Sequence, residues 1–317
     1  MHQQLWPDWT RIKSDGLVKK TDALSRSTRV IAFYNQSMKT KFHAFHTKIN
    51  KAVGPALRVL SYNIQLGIAY TRYHHYLTRS WRHVLPFQGR QTNLDSIARF
   101  VDGFDIVALQ EADAGSLRSD YINQVEYLAR HAGFANWYAQ TNRDLGNIAK
   151  HSLGLLSRPR PREVVGYRLP GRFGGRGVML ARYARKEHSL LVGVVHLSLG
   201  QKARRQQLAY LAHQVAQHKH IILMGDFNCR VDSDEFQALL SSTHLCSPER
   251  ELHTFPSWLP KRGLDHILVT PELTVERAHV YDLAYSDHLP IALDIRLPTA
   301  LVLDWPEASL QSAALHT

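Results

Sequence analysis

Cysteine is nearly absent: Cys229 and Cys246 are the two that 317 residues contain. That count excludes a disulfide scaffold, leaves no thiolate cluster for structural zinc, and makes a reducing compartment the expectation. Long apolar runs are absent as well. No stretch approaches the roughly 18 residues a membrane helix needs. Met1 to Trp9 carries polar residues and Asp8 where a secretory leader would be apolar. A cytoplasmic protein is expected, with peripheral membrane contact left open. Negative charge is scarce: 27 acidic side chains face 39 Lys and Arg, a formal +12. An excess of that sign suits a polyanionic partner.

The excess is unevenly spread. Residues 1–55 hold ten Lys and Arg against Asp8, Asp15 and Asp22, so a basic arm carries more of the charge than the body does. The arm reads as an N-terminal extension, helical over 29–51 or poorly ordered. Gly54-Pro55 closes it, and one folded domain is expected over 56–297, followed by a weakly patterned, peripheral tail over 298–317. Within that domain, apolar spacing predicts helices at 92–101, 121–131 and 203–217. Short apolar runs predict strands at 57–63, 106–110, 154–157, 178–182, 190–196, 221–224, 266–269 and 291–296. This alternation implies an α/β architecture with buried sheets, and by itself leaves a doubly wound sheet and a two-sheet sandwich open.

Polar residues recur where the apolar runs end. Asn63 closes the first, Gln110 and Glu111 follow the second, His196 ends the run from Leu190, and Asp226 and Asn228 come after Met224. Strand ends converge on the functional rim in open sheets and in sandwiches. Carboxylates and amides without cysteine suit a hard, oxygen-loving cation, so Mg²⁺ is expected, with Mn²⁺ as the alternative. Mg²⁺ takes few protein ligands and fills its shell with water and phosphate oxygens, which points to phosphate chemistry. Singly, each station has an ordinary reading as a turn, a cap or a hydrogen-bonded rim histidine. Their ordered succession does not.

Seven segments appear in one order: Ser61-Tyr62-Asn63-Ile64, Leu109-Gln110-Glu111, Leu155-Leu156-Ser157-Arg158, Val195-His196-Leu197, Met224-Gly225-Asp226-Phe227-Asn228, Leu264-Asp265-His266-Ile267-Leu268 and Ser286-Asp287-His288-Leu289-Pro290. Together they resemble an endonuclease/exonuclease/phosphatase domain of the broad bacterial type. The resemblance implies a four-layer α/β/β/α sandwich like that of pancreatic deoxyribonuclease, with two mixed sheets face to face and helices outside. It also implies a metal-dependent phosphoric ester hydrolase. Glu111 then resembles the principal metal carboxylate, with Asn63 beside it and Asp287 as a further metal-site carboxylate. Asp226 resembles the residue that positions and deprotonates the attacking water, and Asn228 its partner at the phosphate. His288 resembles the histidine on the scissile phosphate and Asp265 the carboxylate that orients it, while His196 stands where nuclease and sphingomyelinase branches carry histidine. One departure is Leu153, in His151-Ser152-Leu153-Gly154, where many relatives hold phosphate with an asparagine. His151, Ser152 and Arg176 are the residues left to take that role, Arg176 having an equal reading as a turn arginine facing water.

Residues 64–94 contain no acidic side chain. They interleave Arg72, Arg79, Arg82 and Arg90 with Tyr70, Tyr73, Tyr76, Trp81 and Phe87. Arg72, Arg79 and Trp81 are the candidates here for tracking a phosphate backbone and stacking on bases. The same composition fits headgroup-level membrane contact. A nuclease acting on DNA or RNA is the first expectation. A phosphodiesterase acting on an anionic or choline lipid surface comes second, and a catalytically dead scaffold last. No protein partner is legible.

Overall fold

A computed structural model describes residues 54–68, 89–171, 175–184, 188–248 and 252–306. The arm over 1–53 and the segment over 69–88, with Arg72, Arg79 and Trp81, lie outside the described residues, so the expectations placed on them stand where the sequence left them.

In chain order the elements are β1 (Ala56–Asn63), α1 (Gly89–Val101), β2 (Ile106–Asp113), α2 (Gln124–His131), β3 (Asn136–Asp144) and β4 (Lys150–Ser157). Then come β5 (Glu163–Arg168), β6 (Gly177–Tyr183), β7 (Leu190–His196), α3 (Gln201–Val215) and β8 (His220–Asp226). The last are α4 (Asp234–Ser242), β9 (Asp265–Val269), β10 (Thr274–Val280) and β11 (Ile291–Arg296). They build two mixed sheets, one ordered β10-β11-β1-β2-β4-β3 and the other β5-β6-β7-β8-β9. Each sheet has one parallel pair, β1 with β2 and β7 with β8, whose connection carries a helix as a parallel crossover requires.

Strand periodicity explains the layers. Leu60, Tyr62, Val107 and Leu109 face outward and pack under α1 and α2 through Leu94, Ile97, Val101, Val125 and Leu128. On the other sheet, Leu191, Val195, Leu223 and Leu268 pack under α3 and α4 through Leu208, Leu211, Val215, Phe236 and Leu239. The alternate residues, Val59, Ala108 and Leu155 against Val192, Val194, Ile222, Met224 and Ile267, are buried between the sheets. The two-sheet sandwich is the fold. Each such buried side chain contributes roughly 1.5–3 kcal/mol, so this double core is the main favourable contribution to folding.

β7 and β8 are buried along their whole length because both faces are covered, which is why they read as unbroken apolar runs. Three of the four edge strands behave otherwise, while the fourth, β9, is buried throughout. β3, β5 and β10 terminate their sheets and are mostly exposed or half-buried, so no apolar run announced them. The first residues beyond 297 also pack on the body. Leu301 and Leu303 are buried, and the Arg160 amide donates to the Asp304 carbonyl at 2.7 Å.

Candidate active site

The inward-facing rows of both sheets end in polar residues at the same rim. On the second sheet, register sets His196, Asp226 and Asp265 side by side across β7, β8 and β9. From the first sheet, β1 brings Asn63, whose amide Nδ2 donates to Asp226 Oδ2 at 3.1 Å. Glu111 arrives by a different device. On β2 the inward row runs Ile106, Ala108, Gln110, which would send residue 111 toward the helices. A register shift between Leu109 and Ala112 and a left-handed φ of 55° at Glu111 reverse that alternation. Its carboxylate then lies 3.7 Å from His196 Nε2, which is itself 3.6 Å from Asp226 Oδ2.

Gly225 makes the approach of Asp226 possible. Its φ is +150°, and a Cβ there would stand 2.0 Å from the Val195 carbonyl oxygen. Asn228, also left-handed with φ 52°, donates its backbone N–H to Asp226 Oδ1 at 2.9 Å. Its side-chain Nδ2 donates to the Leu197 carbonyl at 2.9 Å, which ties the β8 exit loop to the β7 exit loop.

The Ser286-Asp287-His288 loop is pinned to β1, since Ser286 Oγ donates to the Asn63 carbonyl at 2.6 Å. His288 Nδ1 lies 2.8 Å from Asp265 Oδ2. That oxygen also accepts from Thr254 Oγ1 at 2.5 Å, and the imidazole rests against the Phe255 ring, centroids 4.9 Å apart. Its other nitrogen, Nε2, faces Asp226 Oδ2 at 4.0 Å. Burial works against the charged imidazole, but Asp265, Asp226 and Asp287 outweigh it and raise the pKa well above the ordinary value. His288 is therefore cationic. His196 is the opposite case: burial and the Arg176 guanidinium hold it well below the ordinary range, hence neutral.

Arg176 is half-buried and lies against His196. Its Nη1 lies 2.8 Å from Nδ1 and 2.5 Å from Nε2 of His196. Ser152, by contrast, donates to the Ala112 carbonyl at 3.1 Å, and Leu153 is core. His151 points to a neighbouring cluster on the same rim.

Sequence reasoning missed Gln65. Its φ of 42° is left-handed, and its Nε2 donates to Asp287 Oδ2 at 2.7 Å. Thr254 was missed likewise. Neither lies in an apolar run or beside a motif carboxylate, and only the hydrogen bond assigns them.

The residues present fit a divalent cation. Glu111, Asp287 and the Asn63 amide are hard oxygen donors on one rim. Burial, and next the Glu111 charge, raise Asp287 to about 6; burial also raises Asp226. Asp265 Oδ1 and Gln65 Oε1 are buried without partners. Crowded carboxylates of this kind are what a bound cation relieves. The ligand atoms of Asp226, Asp265 and His288 lie within 4.8 Å of one another, a spacing a metal also accepts. A cationic His288 already hydrogen-bonded to Asp265 fills that place, which leaves Glu111, Asp287 and Asn63 as residues that could hold a cation.

The model of the Endonuclease/Exonuclease/phosphatase family matches residues 60–288, which contain six of the seven segments quoted above whole and the seventh as far as His288. Among solved structures, the chain resembles an endonuclease/exonuclease/phosphatase from Beutenbergia cavernae, with 20% identity and TM-score 0.60 over 76% of this chain and 72% of that one. It resembles a mannosyl-6-phosphatase from Bacteroides thetaiotaomicron, with 19% identity and TM-score 0.58 over 75% and 99% of the two chains. It also resembles D. rerio TDP2 complexed with single strand DNA product, with 16% identity and TM-score 0.55 over 76% and 98%. No curated protein matches in sequence. The sandwich, the ordered segments and the family match agree: this chain belongs to the endonuclease/exonuclease/phosphatase family of phosphoesterases.

Proposed function

We propose that this chain is a Mg²⁺-dependent phosphodiesterase that cleaves a nucleic acid strand by in-line attack of water, with Mn²⁺ as an alternative ion. The observation that carries the reading is the His288–Asp265 pair. A buried imidazolium, locked at Nδ1 and opposed at Nε2 by a second carboxylate, suits a group that binds and neutralises a phosphoryl oxygen. Asp226, with its raised pKa and two amide contacts, is the base that orients and takes a proton from water. Glu111, Asp287 and Asn63 hold the ion, which when bound screens the non-bridging oxygens and lowers the pKa of water. Arg176 takes the phosphate contact that Leu153 lacks. Asn228 fixes Asp226 and the loop beside the phosphate.

The nucleic acid preference is supported by the TDP2 structure with its single strand DNA product and by the basic balance of the chain. The test is hydrolysis of bis(4-nitrophenyl) phosphate and of an oligonucleotide. Activity should require Mg²⁺ or Mn²⁺, vanish with EDTA, and fall at least about 10³-fold in His288→Ala and Asp226→Asn. Wild-type rates in those variants would reject the assignment.

A second reading, a lipid phosphodiesterase, has one observation in its favour. Leu117, Tyr121, Leu145, Ile148, Leu199 and Leu259 are exposed on loops at the site end of the sandwich. An apolar rim of this kind suits insertion at a headgroup interface. Co-sedimentation with anionic and choline-bearing vesicles, and headgroup release, separate the two readings.

A further inference from the structure

His151 stands at the site end of β4, paired across the sheet with Asp113 on one side and Arg143 on the other. Arg118, 3% exposed, reaches it from the short turn after β2. Its Nε donates to Asp113 Oδ2 at 2.5 Å and its Nη1 lies 3.3 Å from His151 Nε2. Its Nη2 is buried with no partner. A buried guanidinium with an unanswered donor needs an explanation, and Asp113 does not supply it. That carboxylate already accepts from Ser116 Oγ at 2.8 Å, Ser119 Oγ at 2.9 Å and the Gly115 N–H at 2.9 Å.

The cluster connects to the catalytic rim. Arg143 packs over Gly175, where an added Cβ would lie 3.2 Å from Arg143 Cβ. The next residue, Arg176, is the one that touches His196. Positive charge therefore runs from Arg118 past Arg143 to Arg176, with Asp113 paired to Arg118 at one end and Glu111 and Asp226 beside Arg176 at the other. The nearby Asp144 and Lys150, opposite each other across β3 and β4, offset one another. Burial, then Arg118, lowers His151 to about 4 and keeps its ring neutral. With Nε2 turned to Arg118, Nδ1 carries the proton and adds a donor.

We propose that Arg118, His151 and Arg143 form a subsite for a second phosphate group of the substrate, next to the one that is cleaved. The inference rests on the phosphodiesterase reading and narrows its substrate to one bearing at least two phosphates. Fork-shaped guanidinium donors suit a phosphate better than a lone carboxylate. A phosphate adjacent along a strand and a phosphorylated lipid headgroup present the same chemistry.

Two measurements decide it. The full-length chain in EDTA is titrated with inorganic phosphate by calorimetry. Saturable binding should weaken about tenfold in Arg143→Gln and in Arg118→Lys, the loss of one charged hydrogen bond. Arg143 is exposed, so its variant keeps the test intact if Arg118→Lys fails to fold. With Mg²⁺, the preference for a 5′-phosphorylated dinucleotide over bis(4-nitrophenyl) phosphate should fall about tenfold in Arg143→Gln, through KM. A short-chain phosphatidylinositol 4-phosphate in place of the dinucleotide tells which source the subsite takes. Unchanged phosphate affinity and unchanged preference in Arg143→Gln overturn the subsite. If no diester is hydrolysed by the wild type, the phosphodiesterase reading fails and the phosphate titration still decides the subsite.

Discussion

Replacing Asp265 by asparagine changes one oxygen of a buried side chain to an amide and leaves its volume alone. In the native site Asp265 Oδ2 accepts from His288 Nδ1 at 2.8 Å and from Thr254 Oγ1 at 2.5 Å. The variant loses the charge that holds His288 protonated and, with an amide nitrogen turned toward the ring, the acceptor itself. A hydrogen bond to a charged group contributes about 1.5–3 kcal/mol. Removing it from the transition state at the upper end of that range lowers kcat roughly 100-fold. KM should change little, because the ring still stands at the phosphate. Stability should fall as well, since the variant breaks a buried ion pair with His288, so the melt must show that the protein stays folded at the assay temperature. The assay is steady-state hydrolysis of bis(4-nitrophenyl) phosphate across pH, beside a thermal melt. A variant that keeps more than half the wild-type kcat, or that loses activity only because it unfolds, refutes the orienting role.

Gln65→Leu removes the donor on Asp287 Oδ2 and should weaken the Mg²⁺ activation constant about tenfold with the melting temperature nearly unchanged, read from rate against metal concentration. Gly225→Ala drives a Cβ into the Val195 carbonyl at a left-handed φ, and urea unfolding should show a loss of about 3 kcal/mol or more. Glu235 on α4 accepts from Arg204 at 2.8 Å and from Gln201 at 3.0 Å on α3. Burial alone would raise its carboxyl, but these donors lower it below the ordinary value. Its contribution is therefore complete above the unfolded glutamate pKa of about 4.3 and lost as pH falls through the lower folded value. Urea unfolding between pH 3 and 7 should show that acid slope, and Glu235→Gln should flatten it.

The centre of the fold was legible and its margins were not. Leu190–His196 and the strand ending at Asp226 read correctly because both faces are covered, so every residue type agrees with burial. On the edge strand β10, exposed residues such as Glu276 and Arg277 interrupt the apolar pattern. Asn63, Glu111, His196 and Asp226 were readable because each follows or closes an apolar run, and β-sheet register then places His196 and Asp226 in one row with Asp265, which opens β9. Glu111 was named, yet nothing in its neighbours announced the bulge that turns it inward. Gln65 and Thr254 act through single hydrogen bonds between segments far apart in sequence, which local pattern does not encode. Arg176 had two equal readings, and its 2.5 Å approach to His196 is a contact that local pattern does not encode.

The most direct measurement is the Mg²⁺-dependent hydrolysis of bis(4-nitrophenyl) phosphate by the full-length wild type and by Glu111→Gln. Metal-dependent turnover is expected in the first and a loss of about 10³-fold in the second, with the melting temperature retained. Turnover that survives EDTA, or a Glu111→Gln protein as fast as the wild type in Mg²⁺, would contradict this expectation.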